Sequence, residues 1–375
     1  MNPTDYIEDY CARYQAYKNG PWCYEDGCVY RGLELLHQAT GEKRWLDHIL
    51  RLIESQVDAD GSLKGYEPQE FNIDNILPGR ALIFLDGKTG DPRYMAAARR
   101  LIGQLDQHPR ISAGNYWHKK RYPSQVWLDG LYMGLPFQVE YALAAGETPR
   151  IGDALQQMAT ALALTATANG MHVHGYDDSR AEKWSDPVTG KSPAVWARAV
   201  GWLAMALVDI LGALPNDHAS STLRLQMRSI LLGLVERQKP SGLWTQVLDA
   251  PDLEGNYEET SASAMFAYAL LRAARLGLVG SGDAQVLKAA GLRAHAALAE
   301  TRLIAEDGQT RLTGICQVAG LGPFNGRYRD GMPGYYLTEA VVLDDAKGVG
   351  PFMMAHAEAL AATTEQLEHV SAHGL

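Results

Sequence analysis

The residue of this sequence best placed to do chemistry is Asp129, which lies within an aromatic and apolar stretch (residues 122–133). Pro123 and Ser124 favour a helix start, which predicts that Asp129 lies in the second turn of a helix that ends at Gly146. Its neighbours are nearly all apolar, and poor solvation raises the pKa of a carboxyl, as a general acid near neutral pH requires. The alternative is an acidic side chain near a positive helix N-terminus, which would lower its pKa.

A second carboxylate, Asp74, stands in a segment that also favours a helix start (residues 71–79). In one interpretation Asp74 only caps that helix. In the other it faces Asp129, because two like charges close together raise the pKa of one of them and so create an acid. The sequence alone leaves both interpretations open.

Basic and aromatic residues alternate just before the predicted helix (residues 115–121). His118 and Lys119 lie within reach of the acid and are suited to hold the carboxylate of a sugar acid by charge-assisted hydrogen bonds. A solvated basic surface loop is the alternative, although it does not explain the interleaved Tyr116 and Trp117.

Two further segments supply histidine, tryptophan and arginine. His172 and His174 have a spacing found in metal sites, but no third and fourth ligand follows at a diagnostic distance, so a turn with one hydrogen-bonding histidine is favoured. Trp196 and Arg198 begin a later helix, where the guanidinium is suited to pair with a carboxylate and the indole to stack on a sugar. Trp202 is expected to belong to the core.

Helices must position these residues, because the apolar side chains have a helical period almost throughout. A similar loop, with glycine followed by an acidic residue and then arginine, opens a helix at residues 40–45, 89–94 and 145–150. Repeated loop-then-helix units without strand-like alternation indicate stacked helical hairpins. About a dozen helices in pairs favour a closed all-α ring of hairpins, although periodicity does not show closure and leaves an open superhelix as the alternative.

The longer loops between these helices contain most of the unusual residues. In a ring of hairpins, alternate connections emerge at the same end, so these loops are expected to converge over one opening. They are residues 61–73, 108–122, 171–193, 242–258 and 311–334.

The overall composition narrows the class of protein. The chain has 375 residues and no linker or charge block, so one domain is expected over residues 1–375. A net charge of −10 argues against nucleic acid as a partner. No apolar run approaches a membrane span, and the polar N-terminus is unlike a secretion signal. The four cysteines include no C-x-x-C pair, which favours free thiols in a cytoplasmic protein.

Several segments together resemble the unsaturated glycuronyl hydrolases, most closely glycoside hydrolase family 105, the unsaturated rhamnogalacturonyl hydrolases, with the family 88 glucuronyl enzymes more distant. The resemblance covers nearly the whole chain from about Trp22. It depends on many short motifs in the same order, at residues 72–79, 122–133, 174–177, 196–198, 242–246, 255–263 and 347–352. It implies an (α/α)6 barrel, a toroid of six helical hairpins, with the active site in its central cavity.

The resemblance also implies roles for single residues. Asp129 matches the general acid and base of the family, and Asp74 matches a carboxylate that assists it. Other matching positions belong to the subsite for the sugar acid: Tyr24, His118, Lys119, Trp127, His174, Trp196, Arg198 and Gln246. No metal or other cofactor is implied. The match is loosest around residues 327–334, which leaves the contacts to the leaving sugar undefined.

The implied substrate is an oligosaccharide that begins with a 4,5-unsaturated uronic acid, the product of a polysaccharide lyase. The expected reaction hydrates the C4=C5 bond and removes unsaturated galacturonic acid from rhamnogalacturonan fragments of pectin. Three alternatives stay open: an unsaturated glucuronyl hydrolase for other lyase products, a non-catalytic toroid that binds oligosaccharides, and a zinc-dependent toroid enzyme that uses cysteine and histidine.

Overall fold

The computed structural model describes residues 2–215, 217 and 220–373, with side chains up to residue 363. Helices dominate: α1 (Pro3–Arg13), α2 (Tyr24–Thr40), α3 (Lys43–Ile53), α4 (Gly79–Thr89), α5 (Pro92–Gln107), α6 (Leu128–Ala145), α7 (Thr148–Thr165), α8 (Ala197–Ala213), α9 (Ser221–Glu236), α10 (Thr260–Arg275), α11 (Ser281–Thr301), α12 (Pro333–Tyr336) and α13 (Ala346–His373). Single-turn 3-10 helices form at Tyr17–Asn19, Pro68–Glu70 and Ile73–Ile76. The strands are β1 (Gln125–Trp127), β2 (Gly175–Asp177), β3 (Leu303–Glu306), β4 (Gln309–Leu312), β5 (Ile315–Cys316), β6 (Gly322–Phe324), β7 (Arg327–Arg329) and β8 (Val341–Val342). Within the described ranges, no helix combines the length and apolar character needed to cross a membrane.

Six of these helices form a closed inner ring. Each packs against the next in the order α2, α4, α6, α8, α10 and α13, and α13 packs against α2. The outer helices α3, α5, α7, α9 and α11 each pack against the inner helix that precedes them. Helix α1 packs against α13, so the first and last of these helices make the sixth hairpin. The predicted (α/α)6 barrel is therefore confirmed, and the open superhelix is excluded.

The three repeated loops turn the chain from an inner to an outer helix. Gly41, Gly90 and Gly146 end α2, α4 and α6 in the left-handed conformation, with φ of 70°, 70° and 73°. Glycine adopts this conformation without the steric cost of a Cβ atom. The next helix starts soon afterwards, as at Asp91, whose side chain caps α5. These short signals therefore account for much of the hairpin repeat.

The ring closes where two glycines let α2 and α13 approach each other. A Cβ atom on Gly350 would lie 2.4 Å from the carbonyl oxygen of Cys28, and one on Gly32 would lie 2.6 Å from the Cβ atom of Met353. Both distances are shorter than van der Waals contact, so a larger residue would force the helices apart. Glycine at both positions thus allows the first and last inner helices to complete the barrel.

A buried ionic cluster joins four of the inner helices. The carboxylate of Asp209 (α8) lies 2.8 Å from Arg80 (α4), 3.0 Å from Arg272 (α10) and 3.7 Å from Arg31 (α2). Tyr268 donates a further hydrogen bond to it. Burial raises the pKa of Asp209, but the three guanidinium groups outweigh burial and hold the pKa well below its usual value. The barrel interior therefore contains a fixed negative charge on Asp209, which is balanced by arginines of three other inner helices.

The start of α6 differs from the prediction. Gln125–Trp127 form β1, which pairs antiparallel with β2, and the helix begins only at Leu128. Ser124 has a positive φ of 62° and does not cap the helix. The backbone of residues 125–127 forms hydrogen bonds with β2 and is not a turn of the helix. Asp129 consequently lies in the first turn of α6, not the second.

Candidate active site

A cavity of about 400 Å³ opens at the end of the barrel where the inner helices begin. Its wall includes a residue from the first turn of several inner helices: Tyr24 of α2, Asp129 of α6, Arg198 of α8 and Lys347 of α13. Asp74 comes from the 3-10 helix that precedes α4. Helix N-termini have unpaired N–H groups and partial positive charge. This end of the barrel is therefore locally suited to an anion, although the whole chain has a net charge of −10.

The long loops complete the wall. Residues from three of them line the cavity, within 65–72, 118–122 and 318–329. The other two loops lie behind this wall. In the loop at residues 171–193, β2 pairs with β1, and in the loop at residues 242–258, Val247 bridges to Trp196. The backbone N–H of Trp184 donates to the hydroxyl of Tyr328 at 3.0 Å, which ties two of the loops together. The expected convergence of the loops at one end is therefore observed, with two of them in a supporting position.

Asp129 and His174 face each other at the centre of the site. Oδ2 of Asp129 lies 3.1 Å from Nε2 of His174, whose Nδ1 lies 2.9 Å from the hydroxyl of Tyr336. The Asp129–His174 contact lacks the alignment of a hydrogen bond, so both atoms are without a hydrogen-bond partner. The backbone N–H of Leu128 donates to the carbonyl of His174 at 3.0 Å. The join between the β1–β2 pair and α6 thus holds the two side chains together.

Two neighbouring imidazoles control the acidity of Asp129. Burial raises the pKa of the Asp129 carboxyl, but His174 and then His118 outweigh burial and hold the pKa below its usual value. The prediction of a raised pKa is therefore wrong for the free protein. The apolar neighbours are present, but two imidazoles from other segments approach the carboxyl as well. Asp129 is consequently a carboxylate near neutral pH when the cavity is empty.

Asp74 faces the same cavity and is held by Lys119. Its Oδ2 accepts a hydrogen bond from the Lys119 ammonium, and its Oδ1 lies 3.9 Å from Nε2 of His118. The capping interpretation is wrong, because Asn72 caps this 3-10 helix and accepts a hydrogen bond from the backbone N–H of Asp74. The charge of Asp74 acts to raise the pKa of Asp129. The two carboxylates are therefore close enough to influence each other.

His118 lies flat against aromatic rings. Its imidazole stacks on Trp127 with a centroid separation of 4.3 Å and on Tyr122 at 6.2 Å. Burial, and then the charge of Lys119, lower the pKa of His118 well below its usual value. His118 is therefore neutral near pH 7, and it offers a hydrogen bond to a ligand but not the positive charge that the sequence suggested.

Trp196 and Arg198 are oriented by residues behind the cavity wall. The indole N–H of Trp196 donates to Oε1 of Gln246 at 3.1 Å, and its ring stacks on Tyr336 at 5.6 Å. Arg198 donates to the backbone carbonyl of Cys316. Gln246 is fully buried and is not part of the wall. The structure therefore gives Gln246 a positioning role behind Trp196 and does not place it in direct reach of a ligand.

Four buried polar atoms of the site have no hydrogen-bond partner within the described chain: Asp74 Oδ1, His118 Nδ1, Asp129 Oδ2 and His174 Nε2. Buried polar atoms in folded proteins are nearly always paired, because an unpaired one costs about 1–3 kcal/mol. Their concentration around one cavity indicates a binding site for a polar ligand. A sugar, with several hydroxyl groups that donate and accept, has the required chemistry.

Comparison with known proteins assigns the chain to a family. A sequence profile of Glycosyl Hydrolase Family 88 matches residues 4–363. A solved structure of a family 105 glycoside hydrolase from C. acetobutylicum ATCC 824 is 36% identical, has a TM-score of 0.88, and the match covers 95% of this chain and 97% of the other. This chain belongs to glycoside hydrolase family 88/105. The predicted resemblance is thereby confirmed.

Two relatives of this glycoside hydrolase are informative. Unsaturated rhamnogalacturonyl hydrolase YesR of Bacillus subtilis (strain 168) is 27% identical over 263 residues, which are 68% of this chain and 72% of YesR. Protein Atu3128 of Agrobacterium fabrum (strain C58 / ATCC 33970) is 63% identical over 229 residues, 61% of this chain and 98% of that protein. The first relative has a named substrate class, whereas the second has a name without a function.

The cavity of this glycoside hydrolase contains a cation that was absent from the predicted site. Arg329 of β7 is buried, lines the cavity and donates to the hydroxyl of Tyr122 at 3.0 Å and to the carbonyl of Leu321 at 2.9 Å. No carboxylate within the described ranges lies at ion-pair distance from it. The alternation of Arg327, Tyr328 and Arg329 indicates a strand, but no local signal shows which face of that strand meets the cavity.

An acidic residue of the wall was also missed. Glu25 follows Tyr24 in the first turn of α2, and both line the cavity. Acidic side chains are common in the first turn of any helix because they suit its positive end. Glu25 therefore had no feature that distinguished it from Asp26, which instead accepts a hydrogen bond from the hydroxyl of Tyr14 at 2.7 Å.

His172 takes no part in the site. Its Nδ1 lies 3.0 Å from the hydroxyl of Thr165, so the two histidines of the His-x-His segment serve different purposes. In the part of the chain that the structure describes, no group of three His, Cys, Asp or Glu side chains is arranged to hold a metal ion. The cysteines are unpaired thiols at Cys11, Cys23, Cys28 and Cys316.

Proposed function

We propose that this glycoside hydrolase removes the terminal 4,5-unsaturated galacturonic acid from rhamnogalacturonan-derived oligosaccharides, a step in the breakdown of pectin. The observation that supports this most is a pair of carboxylates in one cavity, Asp129 beside His174 and Asp74 held by Lys119. The similarity to YesR, which is named an unsaturated rhamnogalacturonyl hydrolase, supports the choice of substrate.

The chemistry follows from the double bond of the substrate. The C4=C5 bond is attached to the ring oxygen and is therefore an enol ether. Protonation of C4 places positive charge at C5, where the ring oxygen shares it, and water then adds to C5. The resulting hemiketal opens to a ketone, and the hemiacetal left at C1 releases the neighbouring sugar. No protein nucleophile across the glycosidic bond is needed, in contrast to ordinary retaining glycosidases.

Asp129 transfers the proton in this scheme. It protonates C4 and then, as a carboxylate, accepts a proton from the attacking water. Because Asp129 is ionised in the free protein, it takes up its proton as substrate binds. The carboxylate of the substrate adds a like charge and the sugar displaces water, and both changes raise the pKa of Asp129. Asp74 assists by acting in the same direction.

The carboxylate of the unsaturated sugar needs positive charge, and the cavity supplies it locally. Arg198 and Arg329 line the wall, and neither has a carboxylate at ion-pair distance within the described ranges. Lys119 has further N–H donors beside the one that it gives to Asp74. Neutral His118 contributes a hydrogen bond, and Trp196 offers an aromatic face for the sugar ring.

Replacing Asp129 by asparagine tests the proposal. The substrate is unsaturated galacturonyl-rhamnose from lyase-digested rhamnogalacturonan, and the assay follows loss of the ultraviolet absorbance of its double bond together with release of rhamnose. Asp129→Asn should lower the rate about 10²–10⁴-fold, the usual contribution of general acid–base catalysis. Its melting temperature should stay close to that of the wild type, and calorimetric binding of the substrate should be at least as tight, because the neutral amide does not repel the sugar carboxylate.

Two results would contradict the proposal. Undiminished turnover by Asp129→Asn would remove Asp129 from the mechanism. Faster turnover of an unsaturated glucuronyl-hexosamine than of the rhamnose disaccharide would assign the protein to the other lyase products.

A further inference from the structure

The unsaturated sugar has the same chemical structure whichever polymer it came from. The C4=C5 bond removes the stereocentres at both carbons, so a galacturonate and a glucuronate give the same unsaturated residue. The products differ afterwards only in their linkage and in the leaving sugar. An enzyme that selects among lyase products must therefore recognise the leaving sugar, and the residues that do so lie beyond the reacting groups.

Glu25 lies in the wall of the cavity that the leaving sugar must also occupy. The unsaturated residue ends its chain, so with C4 at Asp129 the rest of the substrate extends toward the open end of the cavity. The first turn of α2 supplies Glu25 to the cavity wall, and exposed Lys18 lines the same cavity where it reaches the surface.

The Glu25 carboxylate makes no hydrogen bond or ion pair with another side chain in the described part of the chain. It is only 6% exposed, and its own backbone N–H donates a hydrogen bond to it. Lys347, the positive charge that acts on it most strongly, is held by Asp345 at 2.8 Å. Burial raises the pKa of Glu25, and Lys347 acts in the opposite direction. A desolvated carboxylate that faces a cavity is stabilised when a ligand supplies donors, as neighbouring sugar hydroxyls do.

We propose that Glu25 binds hydroxyl groups of the leaving sugar and that its negative charge excludes leaving sugars that are themselves anionic. This role presupposes the proposed function. A carboxylate accepts short, charge-assisted hydrogen bonds from hydroxyl groups. The same charge repels a second anion strongly, because the partly buried wall screens it less than water does. The preferred substrates are therefore unsaturated uronyl disaccharides with a neutral leaving sugar, such as rhamnose.

The test compares two disaccharides with the same unsaturated sugar. One is unsaturated galacturonyl-rhamnose, with a neutral leaving sugar, and the other is unsaturated galacturonyl-galacturonate, with an anionic one, measured as a substrate or as a competitive inhibitor. Glu25→Gln should raise KM for the neutral disaccharide about tenfold with little change in kcat. It should also bind the anionic disaccharide more tightly, so that the ratio of the two affinities falls about tenfold or more.

Two other variants separate contact from charge. Glu25→Asp keeps the charge but withdraws it from the sugar, so it should raise KM for the neutral disaccharide and still exclude the anionic one. Glu300→Gln removes an equal charge from an exposed position on the outer helix α11, away from the cavity, and should change neither value.

The possible failures are distinguishable. A wild-type protein inactive on unsaturated galacturonyl-rhamnose would overturn the proposed function. An active wild type whose Glu25→Gln variant keeps both affinities within about twofold, or whose Glu300→Gln variant shifts them equally, would overturn the role of Glu25 alone.

Discussion

Replacing Asp209 by asparagine should destabilise the barrel by a calculable amount. Removing one partner of a buried ionic cluster costs about 3–5 kcal/mol, because the opposite charges stay buried. Arg80 keeps Glu140 at 2.6 Å and Arg272 keeps Glu358 at 2.8 Å, so a loss near the lower limit, about 3 kcal/mol, is expected. An unfolding entropy of about 2.1 cal/mol/K per residue gives about 0.8 kcal/mol/K for 375 residues. The melting temperature should therefore fall by about 4 °C.

The destabilisation must depend on pH. The pKa of Asp209 is held below the unfolded-state value of about 3.9 by the three arginines. Its ion pairs therefore contribute fully above that pH, and the contribution is lost as the pH falls through the lower, folded-state pKa. Calorimetric melting of both proteins should show the full difference near pH 7 and a smaller one below about pH 4.

Two controls make this result specific. Asp283→Asn removes a surface partner of Arg228, and the melting temperature should change by less than about 1 °C, because exposed ion pairs contribute little. Asp209 lies eleven residues beyond Arg198 on α8, about 16 Å along the helix, so turnover at 25 °C should be unaffected. An Asp209→Asn protein as stable as the wild type at pH 7, or a difference that grows in acid, would refute the reasoning.

Two further variants test the site itself. His174→Gln removes the neighbour that lowers the pKa of Asp129 most, so that pKa rises and the limb on which kcat/KM falls with increasing pH should move to higher pH. A limb that stays in place or moves lower would contradict the pairing. Arg329→Gln should raise KM for unsaturated galacturonyl-rhamnose about tenfold or more with a smaller change in kcat, and Arg329→Lys should recover part of the loss. An unchanged KM for Arg329→Gln would exclude Arg329 from binding the carboxylate.

The barrel was predictable because it depends on local signals that recur. The glycines at 41, 90 and 146 end inner helices by a property of one residue, and the apolar period of the following segments is equally local. Closure of the ring is different, since it depends on contacts between opposite ends of the chain. Gly32 and Gly350 are compatible with that contact, but neither indicates it without the other.

The direction of a side chain was predictable where the start of a helix sets it. Asp129 and Arg198 occupy equivalent places, the second residue of an inner helix, and both reach the cavity. Contacts between segments that lie far apart in the sequence could not be predicted from it. His174 approaches Asp129 across the join between the β1–β2 pair and α6, and this contact reverses the expected direction of the pKa shift. Arg329 reaches the cavity from the β6–β7 hairpin, and no local pattern reveals which face of that hairpin meets the cavity.

The lowered pKa of Asp129 in the free protein is compatible with its proposed role as an acid. A neutral Asp129 carboxyl repels an anionic sugar less than the carboxylate does, so the substrate binds the protonated form of Asp129 more tightly. By thermodynamic linkage, binding then favours uptake of the proton. The hydrogen that C4 requires is thus acquired when the double bond arrives. His174 keeps the empty site ionised, whereas the bound sugar, with its own carboxylate, favours the protonated form.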